Sequence, residues 1–177
     1  PIYLAWEFNL LKDKQVNAFC MPGGKVAVFD GILPITKDET GLAVVMGHEI
    51  AHAIAKHSAE RMSTQMISQY GASLAGLLVS KKSEITRAGV NTLYGLGSQY
   101  AVMLPYSRKH EYEADQMGLI FLAMAGYDPS KAVAFWERMA ANGANNTAEF
   151  MSTHPSDANR IAKLNALMPE AMKYYKK

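Results

Sequence analysis

The sequence predicts an α+β protein, with a small N-terminal β-sheet followed by a mostly helical bundle. Three observations carry this. Tyr3–Leu10 alternates apolar and polar residues, as a half-buried strand does. Pro22-Gly23-Gly24 separates two short strand-like runs, the signature of a hairpin. From Thr36 onward the apolar residues recur at helical spacing, and turn residues punctuate the chain only at intervals of a helix length.

Taken in order, the first strand places Trp6 and Phe8 on one face. Asn17–Met21 and Lys25–Asp30 form the expected hairpin. Thr36-Lys37-Asp38-Glu39 fits a capping box, with Thr36 as N-cap and Glu39 at N3. The helix it opens is expected to run to about His57, with Ala43, Met46, Ile50 and Ile54 as its core face. A second long helix is expected over Glu60–Val79. Ser80–Leu104 is helical in composition but Gly-rich, a candidate lid, and Pro105 is expected to close it. Another helix should span Ser107–Ala125, with Gly126 at its C′ position. Asp128 and Pro129 suit the N-cap and N1 of the next, which fades at Asn142-Gly143. Asn145–Thr153 reads as a polar loop. A last helix is expected from Pro155 to just before Pro169.

The 177 residues suit one domain, with the sheet in about 1–33 and the helical part in about 36–175. Hydrophobic residues make up 49% and charged residues 19%, which excludes a disordered chain. The net charge is +2, and no basic stripe suggests nucleic acid. Cys20 is alone, so no intrachain disulfide forms, and it is expected to act as a small buried hydrophobe. The 11 methionines are expected mainly in the core. No apolar run is long enough to span a membrane, which takes about 20 residues. Association with a membrane through an N-terminus outside this sequence stays open, as does the oligomeric state.

The chemistry concentrates in His48-Glu49-Ile50-Ala51-His52. On a helix, i and i+4 share a face, so both imidazoles can reach one cation. Glu49 lies about 100° round the helix, beside the histidines but not between them. This is the HExxH pattern of zinc peptidases. A pair of solvated histidines is the plain alternative. The apolar helix around them, with Val44, Val45 and Ile50, argues against it.

A catalytic zinc needs a third protein ligand and an open position. A metzincin would carry Gly and His where this chain has Ala55 and Ser58. His57, five residues after His52, would point about 140° away on a continuous helix, and is expected to be an ordinary surface or packing residue. A gluzincin takes Glu from a later helix. Glu111 and Asp115 share a face there, so Glu111 can ligate and Asp115 can orient a ligand histidine. Glu113 is expected to face solvent.

Further blocks carry a resemblance. They are Asn17-Ala18-Phe19, Pro22-Gly23-Gly24, Phe29-Asp30-Gly31-Ile32-Leu33 and Gly47-His48-Glu49-Ile50-Ala51-His52. Ser107-Arg108 then leads to Glu111, Ala114, Asp115 and Gly118, and Ser152-Thr153-His154-Pro155-Ser156 leads to Arg160. In this order they resemble the M-forty-eight metallopeptidases over most of the chain. The resemblance implies a zincin-like fold, one Zn2+ per chain, and His48, His52 and Glu111 as its ligands. It implies that His154 borders the site, either stabilising an oxyanion or capping the metal in a latent state, with Arg160 assisting the developing charge. Membrane-bound relatives carry transmembrane helices that this sequence lacks, which points toward a soluble bacterial branch, periplasmic or lipoprotein-anchored; the tetratricopeptide tail of some relatives is also absent from it.

The expected activity is therefore hydrolysis of peptide bonds in unfolded or misassembled polypeptides, with Glu49 as general base. The substrate strand is expected to add to an edge at Asn17, Ala18 and Phe19. A chaperone-like assembly factor with a latent, self-capped site is the rival. A purely structural zinc is a poor fit, since such sites favour four Cys/His ligands.

Overall fold

The computed structural model describes residues 4–98, 103–142, 147, 150–152, 154 and 159–176. Tyr3, Gly143, Thr153 and Pro155, where some expected boundaries fall, lie outside them. Strands β1 (Glu7–Leu11), β2 (Ala18–Met21) and β3 (Lys25–Phe29) form one sheet in the order β1-β3-β2. β2 and β3 are the expected antiparallel hairpin, and β1 runs parallel to β3. Gly23 and Gly24 adopt φ of 95° and 92°, which a side chain would resist. Among the described residues β2 is thus an edge strand of the sheet.

A 3-10 turn (Asp30–Ile32) leads into the short helix α1 (Leu33–Thr36), then α2 (Glu39–Ile54), α3 (His57–Leu78) and α4 (Glu84–Ser98). Next come α5 (Leu104–Met124), α6 (Lys131–Ala141) and α7 (Arg160–Ala171). Thr36 does not cap α2. Its hydroxyl donates to the Leu33 carbonyl and ends α1, while Asp38 caps α2 by accepting from the Gly41 amide at 2.8 Å. The expected capping box does not form, because the Asp38 carboxylate lies two residues closer to the helix and takes the amide. Pro105 opens α5 rather than closing the preceding helix, as its missing N–H allows in a first turn. Asp128 accepts from the Ser130 amide, so α6 starts two residues later than its Asp-Pro signal. Pro169 lies inside α7. In the expected polar loop, Thr147 and residues 150–152 are helical, with Phe150 fully buried.

The core joins the inner face of the sheet (Val26, Val28) to α2 (Val44, Val45), α5 (Leu119, Leu122) and α6 (Phe135, Trp136). α2 does not bury the face expected of it. Ile54 is 41% exposed and Ala43, Met46 and Ile50 are half-buried, while Val44, Val45, Gly47, His48 and Ala51 are buried. A helix packed on several sides has no single apolar stripe, and here polar site residues take the deepest positions. Among the described residues only Met139 is a buried methionine. Met46, Met151 and Met168 pack against the core, whereas Met21, Met62, Met66, Met124 and Met172 are exposed, so the expected core role holds for only part of them. α4 packs along α3, and both leave apolar side chains such as Ile67, Leu78 and Ile85 exposed.

What positions the site is the crossing of α2 over α5. Gly47 and Gly118 meet there backbone to backbone. A Cβ on Gly118 would lie 3.1 Å from the His48 amide nitrogen, and one on Gly47 would lie 3.2 Å from the Gly118 carbonyl. Larger residues would hold the helices apart and withdraw Glu111 from His48.

Candidate metal centre

α2 presents His48, Glu49 and His52, and all three are buried. α5 presents Glu111 and Asp115 one turn apart, both buried. His154 enters from the chain after residue 152, where its amide donates to the Phe150 carbonyl and its ring stacks on Phe150 at 4.5 Å.

The donor atoms converge. His48 Nε2 lies 3.1 Å from His52 Nε2, 3.2 Å from Glu111 Oε2 and 3.4 Å from His154 Nδ1. Glu111 Oε1 lies 3.3 Å from His52 Nε2 and 3.3 Å from His154 Nδ1. Tetrahedral zinc with bonds of about 2.0–2.1 Å sets its ligand atoms about 3.3 Å apart, so these five separations fit. Two facing Nε2 atoms cannot both be metal-ready acceptors without a cation between them. Glu111 is moreover buried among three imidazoles, a crowded set of donors and lone pairs that a cation would relieve. The four residues fit a zinc ion.

The electrostatics agree. Burial opposes ionisation of Glu111, but hydrogen bonds from His154, His48 and His52 hold its carboxyl well below the usual range. Burial likewise opposes charge on His48, yet Asp115 and Glu111 outweigh it and raise its pKa to about 9. Burial pushes His52 down to about 3. Burial raises the pKa of Glu49, with His154 and His48 partly opposing.

Glu49 Oε1 lies 3.4 Å from His154 Nε2. Glu49, His52 and His154 line a cavity of about 190 Å³ with Phe19 and Cys20 of edge strand β2. Asn17 and Ala18 are buried instead, with the Asn17 side chain accepting from the Ala18 amide. Cys20 is half-buried, packed against the core on one side and lining this cavity on the other.

Asp115 Oδ1 lies 3.0 Å from His48 Nδ1, on the side away from the cluster. Arg160 is placed behind Asp115, to which its Nε and Nη2 donate at 2.8 and 2.7 Å. Its guanidinium lies 3.4 Å over Trp136, and its Nη2 comes no closer than 3.8 Å to Glu111. Trp136, which also meets His48 edge-on at 5.4 Å, carried no signal beyond an apolar helix position. His57 departs furthest from expectation. It is buried, with Nδ1 2.9 Å from His52 Nδ1 and Nε2 3.4 Å from Glu113. α2 ends at Ile54 and Lys56 takes a left-handed φ of 60°, so the continuous helix behind the 140° argument does not exist. A break between His52 and His57 was the only available signal, and nothing in Ala-Lys announces one.

Comparisons with known proteins agree with this geometry. The model of peptidase family M48 matches residues 2–168. Mitochondrial metalloendopeptidase OMA1 of Schizosaccharomyces pombe is 42% identical over 170 residues, covering 95% of this chain and 48% of that protein. Human mitochondrial metalloendopeptidase OMA1 is 32% identical, covering 95% and 33%. The beta-barrel assembly-enhancing protease of Escherichia coli is 30% identical, covering 89% and 33%. The chain thus spans about a third to a half of the length of these relatives.

Proposed function

This chain belongs to peptidase family M48, and from that premise we propose that it is a zinc-dependent endopeptidase domain acting on unfolded or misassembled polypeptides. The observation that carries the reading is the set of His48, His52, Glu111 and His154 donors at the edge lengths of a zinc tetrahedron, with Glu49 beside them. His48, His52 and Glu111 would hold the metal. Bound there, zinc would supply the Lewis acidity that lowers the pKa of water and polarises a carbonyl.

Glu49 accepts the proton of the attacking water and returns it to the leaving amine. Its buried, raised carboxyl is matched to both halves of that transfer. His154, 3.4 Å from Glu49, donates to the developing oxyanion once it swings off the cluster. Asp115 orients His48, and Arg160 acts through Asp115. An extended substrate adds to β2 along Phe19, whose side chain borders the cavity. No helix among the described residues is long and apolar enough to cross a membrane. The finer placement, in a bacterial periplasm or anchored there at a membrane, is part of this proposal.

One observation favours a second reading. His154 Nδ1 occupies the fourth corner, 3.4 Å from His48 Nε2 and 3.3 Å from Glu111, where a working site needs an opening. A latent peptidase, or an assembly factor that keeps its site capped, would look this way.

Cleavage of an unfolded protein by zinc-loaded wild type, Glu49→Gln and His154→Ala tests both. Wild-type activity that Glu49→Gln abolishes supports the peptidase. A silent wild type woken by His154→Ala supports latency. Silence of wild type and His154→Ala, each with one equivalent of zinc, would sink the enzymatic reading.

A further inference from the structure

We infer that His57 is the positioning residue of the metal centre's second histidine, holding His52 in its metal-ready tautomer through a histidine–histidine hydrogen bond. This rests on the zinc reading above and deepens it.

The two ligand histidines of α2 are supported differently. His48 Nδ1 faces a buried carboxylate, Asp115, which Arg160 in turn grips. Among the described residues, the group behind His52 is an imidazole rather than a carboxylate. Its Nε2 points into the cluster, 3.3 Å from Glu111 Oε1, and its Nδ1 lies 2.9 Å from His57 Nδ1.

Chemistry then dictates every proton. A neutral imidazole that ligates through Nε2 carries its hydrogen on Nδ1. His52 Nδ1–H therefore donates, and His57 Nδ1 must accept. That requires His57 to carry its own hydrogen on Nε2, which lies 3.4 Å from Glu113 Oε2. The chain His52 to His57 to Glu113 is a relay with one allowed polarity, ending at a half-exposed carboxylate. Outer partners of this kind fix ring orientation and tautomer.

Three features hold His57 to the task. Lys56 in the left-handed region breaks α2 from α3 and turns His57, the first residue of α3, back onto His52. The His57 ring is buried and meets the His52 ring edge-on at 4.9 Å. Its face stacks at 4.1 Å and 14° on His110, whose Nε2 lies 3.0 Å from Glu60. His110 precedes Glu111, so the stack ties the α2–α3 break to the helix that carries the third ligand.

The test compares His57→Phe, which keeps the ring and removes the acceptor, with His57→Asn, whose Oδ1 can accept where Nδ1 did. Zinc affinity is read by chelator competition, geometry by the absorption of the cobalt-substituted protein, and folding by thermal denaturation. His57→Phe is expected to weaken zinc binding about tenfold to a hundredfold and to shift the cobalt spectrum. His57→Asn is expected to recover most of both. Long-range 15N–1H spectra of the zinc-loaded wild type are expected to find His57 protonated on Nε2. A folded His57→Phe with wild-type affinity and cobalt spectrum overturns the inference. So does equal loss in Phe and Asn variants, which would mean packing alone, and so does a His57 protonated on Nδ1. A wild type that binds no zinc fails earlier, and sinks the metal reading with it.

Discussion

Arg160 grips Asp115 with two parallel hydrogen bonds of 2.8 and 2.7 Å, and Asp115 faces His48 at 3.0 Å. A residue near the C-terminus thereby steadies a ligand on α2 through a carboxylate on α5. All three groups are buried. Removing the cation leaves a buried carboxylate poorly paired, which costs about 3–5 kcal/mol. Arg160→Leu is expected to lose stability on that scale in urea unfolding. Asp115→Asn should instead lower zinc affinity about tenfold to a hundredfold. If Arg160→Leu unfolds at the wild-type midpoint, the pair is not a support.

The Gly47–Gly118 crossing makes a steric prediction. A Cβ on Gly118 would already sit 3.1 Å from the His48 backbone, and a branched side chain has no room. Gly118→Leu is expected to cost at least about 1–3 kcal/mol and to lose zinc, because α5 must back away from α2. Gly118→Ala should be milder in both. Retention of wild-type zinc affinity by Gly118→Leu would show that the crossing does not set the site.

Zinc binding should expel a proton from His48. Burial opposes its charge, but Asp115 and Glu111 raise its pKa to about 9 in the metal-free protein. Apparent zinc affinity is therefore expected to rise about tenfold per pH unit through neutrality, and to level off near pH 9. Calorimetry in buffers of differing ionisation enthalpy counts the proton directly. Stability of the metal-free protein runs the other way. The raised His48 pKa contributes stability that is full below the unfolded value, about 6.5, and lost as pH climbs through about 9. His52, depressed to about 3 by burial, removes stability as pH falls from about 6.5 toward 3. Metal-free stability that keeps rising from pH 7 to 9 would contradict the His48 assignment.

Cys20 reports on Glu49 beside it. Burial first, and the charge of Glu49 second, push its thiol up to about 11. Alkylation by iodoacetamide at pH 8 is expected to be about a hundredfold slower than for a free thiol, because the thiolate is the nucleophile. Glu49→Gln should quicken it several-fold. A Cys20 that reacts at the free-thiol rate would place the thiol away from Glu49.

Local chemistry was readable without a fold. The i, i+4 spacing of His48 and His52, the flanking Glu49, and the Glu111–Asp115 pair follow from helical geometry, which short-range sequence pattern records. The hairpin at Pro22-Gly23-Gly24 and the order of sheet then helices follow for the same reason. What only tertiary structure decided involves partners distant in sequence or a backbone reversal. His48 meets Glu111 across 63 positions and His154 across 106, and no periodicity encodes such contacts. β2 became an edge because β1 came back parallel to β3, not to β2. Arg160 pairs with Asp115 across 45 positions, since a buried carboxylate is costly without a cation. His57 became the partner of His52 because one residue, Lys56, left the helical region, a choice the rest of the packing made for it.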